Sequence, residues 1–122
     1  RVLFAADTLM PVPFFLDGSY DDLVTSLHNI KGGGYENVIQ GHGEIILRGE
    51  IEHKIDADLS YLQCIKEHVE IAINRPNPEK YLRSVDIEKC GKSRIPLNGE
   101  VQNLHEGNMK ALLKQYRAIQ KA

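Results

Sequence analysis

Two side chains early in the chain have the chemistry to hold a metal ion, and each follows a short apolar run. Val2-Leu3-Phe4-Ala5-Ala6 leads into Asp7-Thr8, and Asn37-Val38-Ile39-Gln40 leads into Gly41-His42-Gly43. A carboxylate and an imidazole are both ordinary zinc ligands. They stand far apart in sequence, so the elements between them must bring them together. Ser19 to Ile30 reads as a helix, with Ser19 as its N-cap and Asp22 at the capping-box position. Leu23, Leu27 and Ile30 share one face, and Gly32-Gly33-Gly34 stops the helix. Strand, helix and strand predict a βαβ unit with parallel strands. Parallel strands end on one edge of the sheet, where α/β folds place their ligand sites, and neighbours lie ~4.8 Å apart there. Asp7 and His42 are therefore expected to reach a common ion. A catalytic zinc usually takes three protein ligands, and this stretch offers two.

The same residues carry a family resemblance. The hydrophobic-Ala-Asp-Thr run ending at Thr8 is followed by Pro11, Phe15, Asp17-Gly18, a helix containing Ser26-Leu27, and a strand closing on Gly41-His42-Gly43. Together these resemble the C-terminal half of a metallo-β-lactamase-fold hydrolase. The resemblance covers residues 1 to about 73. It continues more faintly to the C-terminus, where Leu104-His105-Glu106-Gly107-Asn108-Met109 resembles the His-x-x-Asn helix start of members with a C-terminal extension. It implies that Asp7 bridges two metal ions, zinc or similar, and that His42 is a terminal ligand of the second. It also implies a parent enzyme whose metal-bound hydroxide attacks an ester-, thioester-, lactone- or amide-type substrate.

Three departures from that family qualify what is implied. Ala6 stands where the family usually has Gly, a mild change. More seriously, the family's His-x-His-x-Asp-His string, which supplies most of the ligands, occurs nowhere in these 122 residues. A further His ligand upstream of the Asp strand also has no counterpart. With Arg1 directly before a strand and no initiator Met, the chain is expected to be the second half of a longer protein. By itself it should be hydrolytically inactive, with no catalytic residue beyond the two metal ligands.

Composition sets outer limits. The 122 residues are one domain's worth, and 42 % hydrophobic with 26 % charged content is that of an ordinary soluble globular protein. A net charge of −2 leaves no basic footprint for nucleic acid. No apolar run approaches the ~20 residues that span a bilayer. Cys64 and Cys90 lack metal-type spacing and read as structural, reduced thiols, which suits the cytoplasm; a disulfide between them is the alternative.

The expected fold class is α/β, a βαβ unit followed by several helices, resembling half of the metallo-β-lactamase αβ/βα sandwich. Residues 1–122 form a single domain in this reading, with 1–73 the family-like core and 74–122 a C-terminal helical extension. Leu9 to Gly18, with Pro11 and Pro13, is either a packed connector or a substrate-contacting loop. Glu44 to Leu47 reads as a loop or the run-in to a helix. From Glu50 to about Asn74 the spacing of Ile51, Ile55, Leu59, Leu62, Ile65, Val69 and Ala72 predicts one long helix, with Glu50 and Lys54 paired on its wet side. Pro78 opens a short helix, Ser84 caps another over Val85–Cys90, and Gly91 stops it. The last helix is expected from Glu100 or Val101 to Ile119. No two of His28, His53, His68 and His105 fall at i,i+3 or i,i+4, and they read as surface or satisfied core residues. Because Val2 to Ala5 are apolar on both faces, half of a sandwich would leave one sheet face uncovered, and a homodimer through it is expected. A second reading of the same residues is a non-enzymatic α/β binding or regulatory module that assembles as a dimer.

Overall fold

The computed structural model describes residues 2–6, 13–15, 19–35, 37–40 and 45–121. The local signals around Ser19 produce the predicted helix, α1 (Tyr20–Lys31). The Ser19 hydroxyl accepts from the Asp22 backbone N–H at 3.3 Å, satisfying one of the first turn's free donors. Asp21 and Asp22 lie in the first turn and His28 and Lys31 in the last, as the helix dipole favours.

The strands flanking α1 are β1 (Val2–Ala6) and β2 (Asn37–Gln40), and they pair in parallel as expected. Val2 lies opposite Asn37, Leu3 opposite Val38 and Phe4 opposite Ile39; an irregularity then brings Ala6 opposite Gln40. A third strand, β3 (Ile45–Leu47), pairs antiparallel with β2 where a loop or helix run-in was expected. Three apolar residues are too few for periodicity to separate strand from helix. The open edge of β2 decides it, because pairing there satisfies the backbone groups of both strands. The sheet order is β1-β2-β3. Its two faces differ: Val38 and Ile46 are buried on one, while Val2, Ile45 and Leu47 are 53 %, 58 % and 57 % exposed on the other.

The long helix, α2 (Arg48–Ala72), begins two residues before Glu50 and ends two before Asn74. Its buried stripe is Ile51, Ile55, Asp58, Tyr61, Leu62, Ile65, Val69 and Ala72. Asp58 thus takes an inward place beside Leu59, which is only half-buried. Lys54 gives its ammonium to Asp58 at 2.9 Å instead of the expected Glu50. The buried carboxylate is the better partner, because its charge is least screened by water.

The chain divides within α2 into two compact units, residues 1–60 and 61–122. The first holds the sheet, α1 and the start of α2, and its buried residues include Leu27, Ile30, Val38, Ile46, Ile51 and Ile55. The second holds the rest of α2, α3 (Pro78–Arg83), 3₁₀ turns at Ile87–Cys90 and Pro96–Gly99, and α4 (Glu100–Lys121). Here the cap assignment changes. Ser84 closes α3, its hydroxyl donating to the Tyr81 carbonyl at 2.6 Å. Asp86 is the residue that caps the following turn, accepting from Lys89 N–H at 3.0 Å. Gly91 ends that turn with φ at +85°, a left-handed conformation that costs glycine little. The molecule is thus mixed α/β and mostly helical, with one three-stranded sheet and four α-helices among the described residues.

Candidate functional site

The parallel pairing fixes the edge at which a strand-end site would form. Ala6 and Gln40 are the last paired residues of β1 and β2. In sequence Asp7 comes next after Ala6, and His42 is the second residue after Gln40. Both predicted metal ligands lie outside the described residues. Of the proline-containing segment only Pro13 to Phe15 is described, and it is packed. Phe15 is 4 % exposed and meets Tyr20 edge to face, with ring centroids 5.6 Å apart. The remainder of that segment also lies outside the described residues.

Beside the same edge, an open cavity of about 470 Å³ is lined by Gln40, Ile45, Ile46, Glu50, His53 and Lys54. Gln40 ends β2, Ile45 opens β3, and the other polar groups come from the first two turns of α2. Carboxylate, imidazole and ammonium therefore share a wall next to the strand ends. The sequence signal for this was the i, i+3 spacing of Glu50 and His53. It was unreadable without knowing that residues 45–47 turn the chain back along β2.

The second unit contains a different polar cluster. Tyr61, His105 and Asn108 are each 0 % exposed. The His105 Nε2 lies 2.8 Å from the Val85 carbonyl oxygen, which can only accept, so Nε2 carries the proton. In the neutral ring Nδ1 then accepts, from the Tyr61 hydroxyl at 2.8 Å. The Tyr61 oxygen in turn accepts from Asn108 Nδ2 at 3.2 Å. Every proton in this chain of bonds has a defined place. Burial pushes the His105 pKa down, against the Val85 hydrogen bond and the charges of Glu106 and Asp86, while His68 pushes it the same way as burial. The imidazole is neutral and fully engaged, the satisfied core role expected of it. His68 is half-buried with Nδ1 2.9 Å from the Tyr81 hydroxyl, while His28 and His53 are exposed.

The two cysteines, distant in sequence, both lie in this unit. Cys64 on α2 donates its S–H at 3.8 Å to the carbonyl of Lys89, the residue before Cys90. Both are free thiols, as expected. Burial first, then the influence of Cys64 and Asp86, push the Cys90 pKa far above a thiol's ordinary value.

Among the described residues no group of three or more His, Cys, Asp or Glu is placed to hold a metal ion, which bears on neither Asp7 nor His42. Nor is any helix among them long and apolar enough to cross a membrane. No protein-family model, curated protein or solved structure matches the chain.

Proposed function

We propose that this chain carries part of a two-metal hydrolase centre of the metallo-β-lactamase kind, with Asp7 and His42 as its metal ligands. The observation that supports the reading is the parallel register of β1 and β2. It brings Ala6 opposite Gln40, so the chain leaves both strands at one sheet edge towards Asp7 and His42. The resemblance of residues 1–73 to the C-terminal half of that fold supplies the family. A carboxylate and an imidazole suit zinc in kind, but two donors fall short of the three a catalytic zinc takes. The reading therefore requires further ligands from residues outside these 122.

A two-metal centre supplies hydroxide at neutral pH, by lowering the pKa of bound water to about 7, and a Lewis acid for the substrate oxygen. The chain's own part is to bind and orient. Asp7 would hold metal through its carboxylate. His42 brings a ring nitrogen, and glycine on either side of it removes two side chains from its approach. The cavity at the end of β2, with Gln40, Glu50 and His53 on its wall, offers groups that would meet a substrate's polar atoms.

Zinc titration of the 122-residue chain by calorimetry tests the proposal. Weak binding is expected, and it should be lost in both Asp7→Ala and His42→Ala. No hydrolysis of a lactone or thioester should occur. Zinc binding untouched by either substitution would refute the ligand assignment. Zinc-dependent turnover abolished by His42→Ala would refute the claim that the centre is incomplete here.

A further inference from the structure

We infer that the cleft between α3 and α4 is a binding site for a small aromatic monocarboxylate. Helix spacing builds the site. Glu79, Leu82 and Arg83 stand at i, i+3 and i+4 on α3, and Glu106, Met109, Lys110 and Leu113 stand at i, i+3, i+4 and i+7 on α4. Each set runs along one helix face, and the two sets together line a cavity of about 140 Å³. Leu82, Met109 and Leu113, each 4 % exposed or less, supply its apolar wall.

Size and lining select the body of the ligand. An apolar cavity of about 150 Å³ holds benzene, so the space here suits a single aromatic ring. A thioether is a favourable neighbour for such a ring, and Met109 places one in the wall.

The charges around the cleft select the head group. Glu79 is already answered, because the Arg117 guanidinium reaches its carboxylate at 2.8 Å. Glu106 accepts from the Gln102 amide at 3.3 Å. Arg83 and Lys110, by contrast, make no hydrogen bond or ion pair with any described residue. Arg83 acts on Glu79 only as a charge at longer range. Both cationic side chains are exposed while lining the cavity, so a ligand entering from solvent can meet them. A carboxylate matches this pair: a guanidinium takes both of its oxygens in a fork, and an ammonium adds a point charge. A cationic ligand would meet two unanswered positive charges and two carboxylates already engaged. The site lies wholly within residues 61–122 and does not depend on the metal-centre reading.

Met10 and Met109 are the only methionines in the chain, so labelling methionine methyl groups with carbon-13 gives two signals, one of which reports on the cleft. Met10→Leu assigns them, and benzoate is the probe. The Met109 methyl should shift saturably as benzoate is added, and calorimetry should give one site per chain. Benzamide keeps the ring and lacks the charge, and it should bind at least ~10-fold more weakly, as should benzylammonium. Arg83→Gln and Lys110→Gln change exposed side chains and leave the apolar wall intact. Each should weaken benzoate roughly 3–10-fold and leave benzamide unaffected. A Met109 methyl that does not respond to benzoate would overturn the proposal. So would benzamide or benzylammonium binding as well as benzoate, or both substitutions proving silent. Decanoate binding more tightly than benzoate would overturn it as well, by giving the cleft to an alkyl chain.

Discussion

The Tyr61–His105–Asn108 cluster shows how completely a buried polar group must be answered. Each member is fully buried, and hydrogen bonds join Asn108 to Tyr61 and Tyr61 to His105. Tyr61→Phe keeps the ring and removes the oxygen, leaving the His105 Nδ1 and an Asn108 N–H facing nothing at that position. A loss of about 1–3 kcal/mol is expected, the cost of buried polar groups left unanswered. Urea unfolding of the two proteins measures it, and equal midpoints would contradict the network. The same histidine gives a pH dependence. Its folded pKa is depressed by burial, so the folded state disfavours a proton that the unfolded chain takes up at the ordinary value of 6.5. Stability from this group is fully present above about pH 6.5 and falls as the pH drops through the lower folded value. Protonation would also place hydrogen on Nδ1, where the Tyr61 hydroxyl now donates. Wild type should lose more stability between about pH 7 and pH 5 than His105→Gln does. Parallel pH profiles would show that the histidine is not responsible.

The elements separate into those that announce themselves and those decided by their neighbours. Around α1 the Ser19 cap, the apolar face and the stop at Gly32 all agree, so the helix was legible to within a residue. The parallel pairing of β1 and β2 followed from the length of the crossover. β3 was hidden because Ile45-Ile46-Leu47 carries no period, and only the free edge of β2 makes it a strand. Asp58 was hidden because charge suggests a wet position, and the Lys54 ammonium that makes its burial tolerable is a structural fact. The contact of Cys64 with the Lys89 carbonyl depends on the path of residues 73–89, which no local pattern specifies. The edge at which β1 and β2 both end was legible, Asp7 and His42 lie outside the described residues, and the cavity lined by Gln40 and Glu50 depended on β3. One reassignment is directly testable. Asp86 accepts from Lys89 N–H and from the Arg94 guanidinium, both at 3.0 Å, whereas Ser84 only returns a bond to the end of α3. Asp86→Ala should cost about 0.5–2 kcal/mol, as loss of an N-cap does, and more than Ser84→Ala. The reverse order in thermal unfolding would restore Ser84 as the cap.

The three-stranded sheet presents its apolar side chains unequally, and this bears on how the whole chain behaves in solution. Register assigns Val2, Asn37 and Leu47 to one face, with Ile39 and Ile45 alternating onto the same side. Val2, Ile45 and Leu47 are more than half exposed there, whereas Val38 and Ile46 on the other face are buried. Contiguous apolar surface of this kind is an association site, and β3 adds an open strand edge next to it. The occupant we propose for the chain alone is a second copy. A face apolar on each molecule is complementary to itself, and a net charge of only −2 per chain opposes pairing little. In a longer protein completing the metal centre, the same face would receive the other half of the sandwich instead. Sedimentation equilibrium of the 122-residue chain should therefore give a mass approaching twice the monomer's as concentration rises. Ile45→Lys with Leu47→Lys should return it to the monomer with its circular dichroism unchanged, since both side chains point into solvent in the single chain. A monomer at all concentrations that binds no hydrophobic dye would show that this face needs no cover. The requirement for a second half in the proposed hydrolase would then lose its support from the fold and rest on the missing ligands alone.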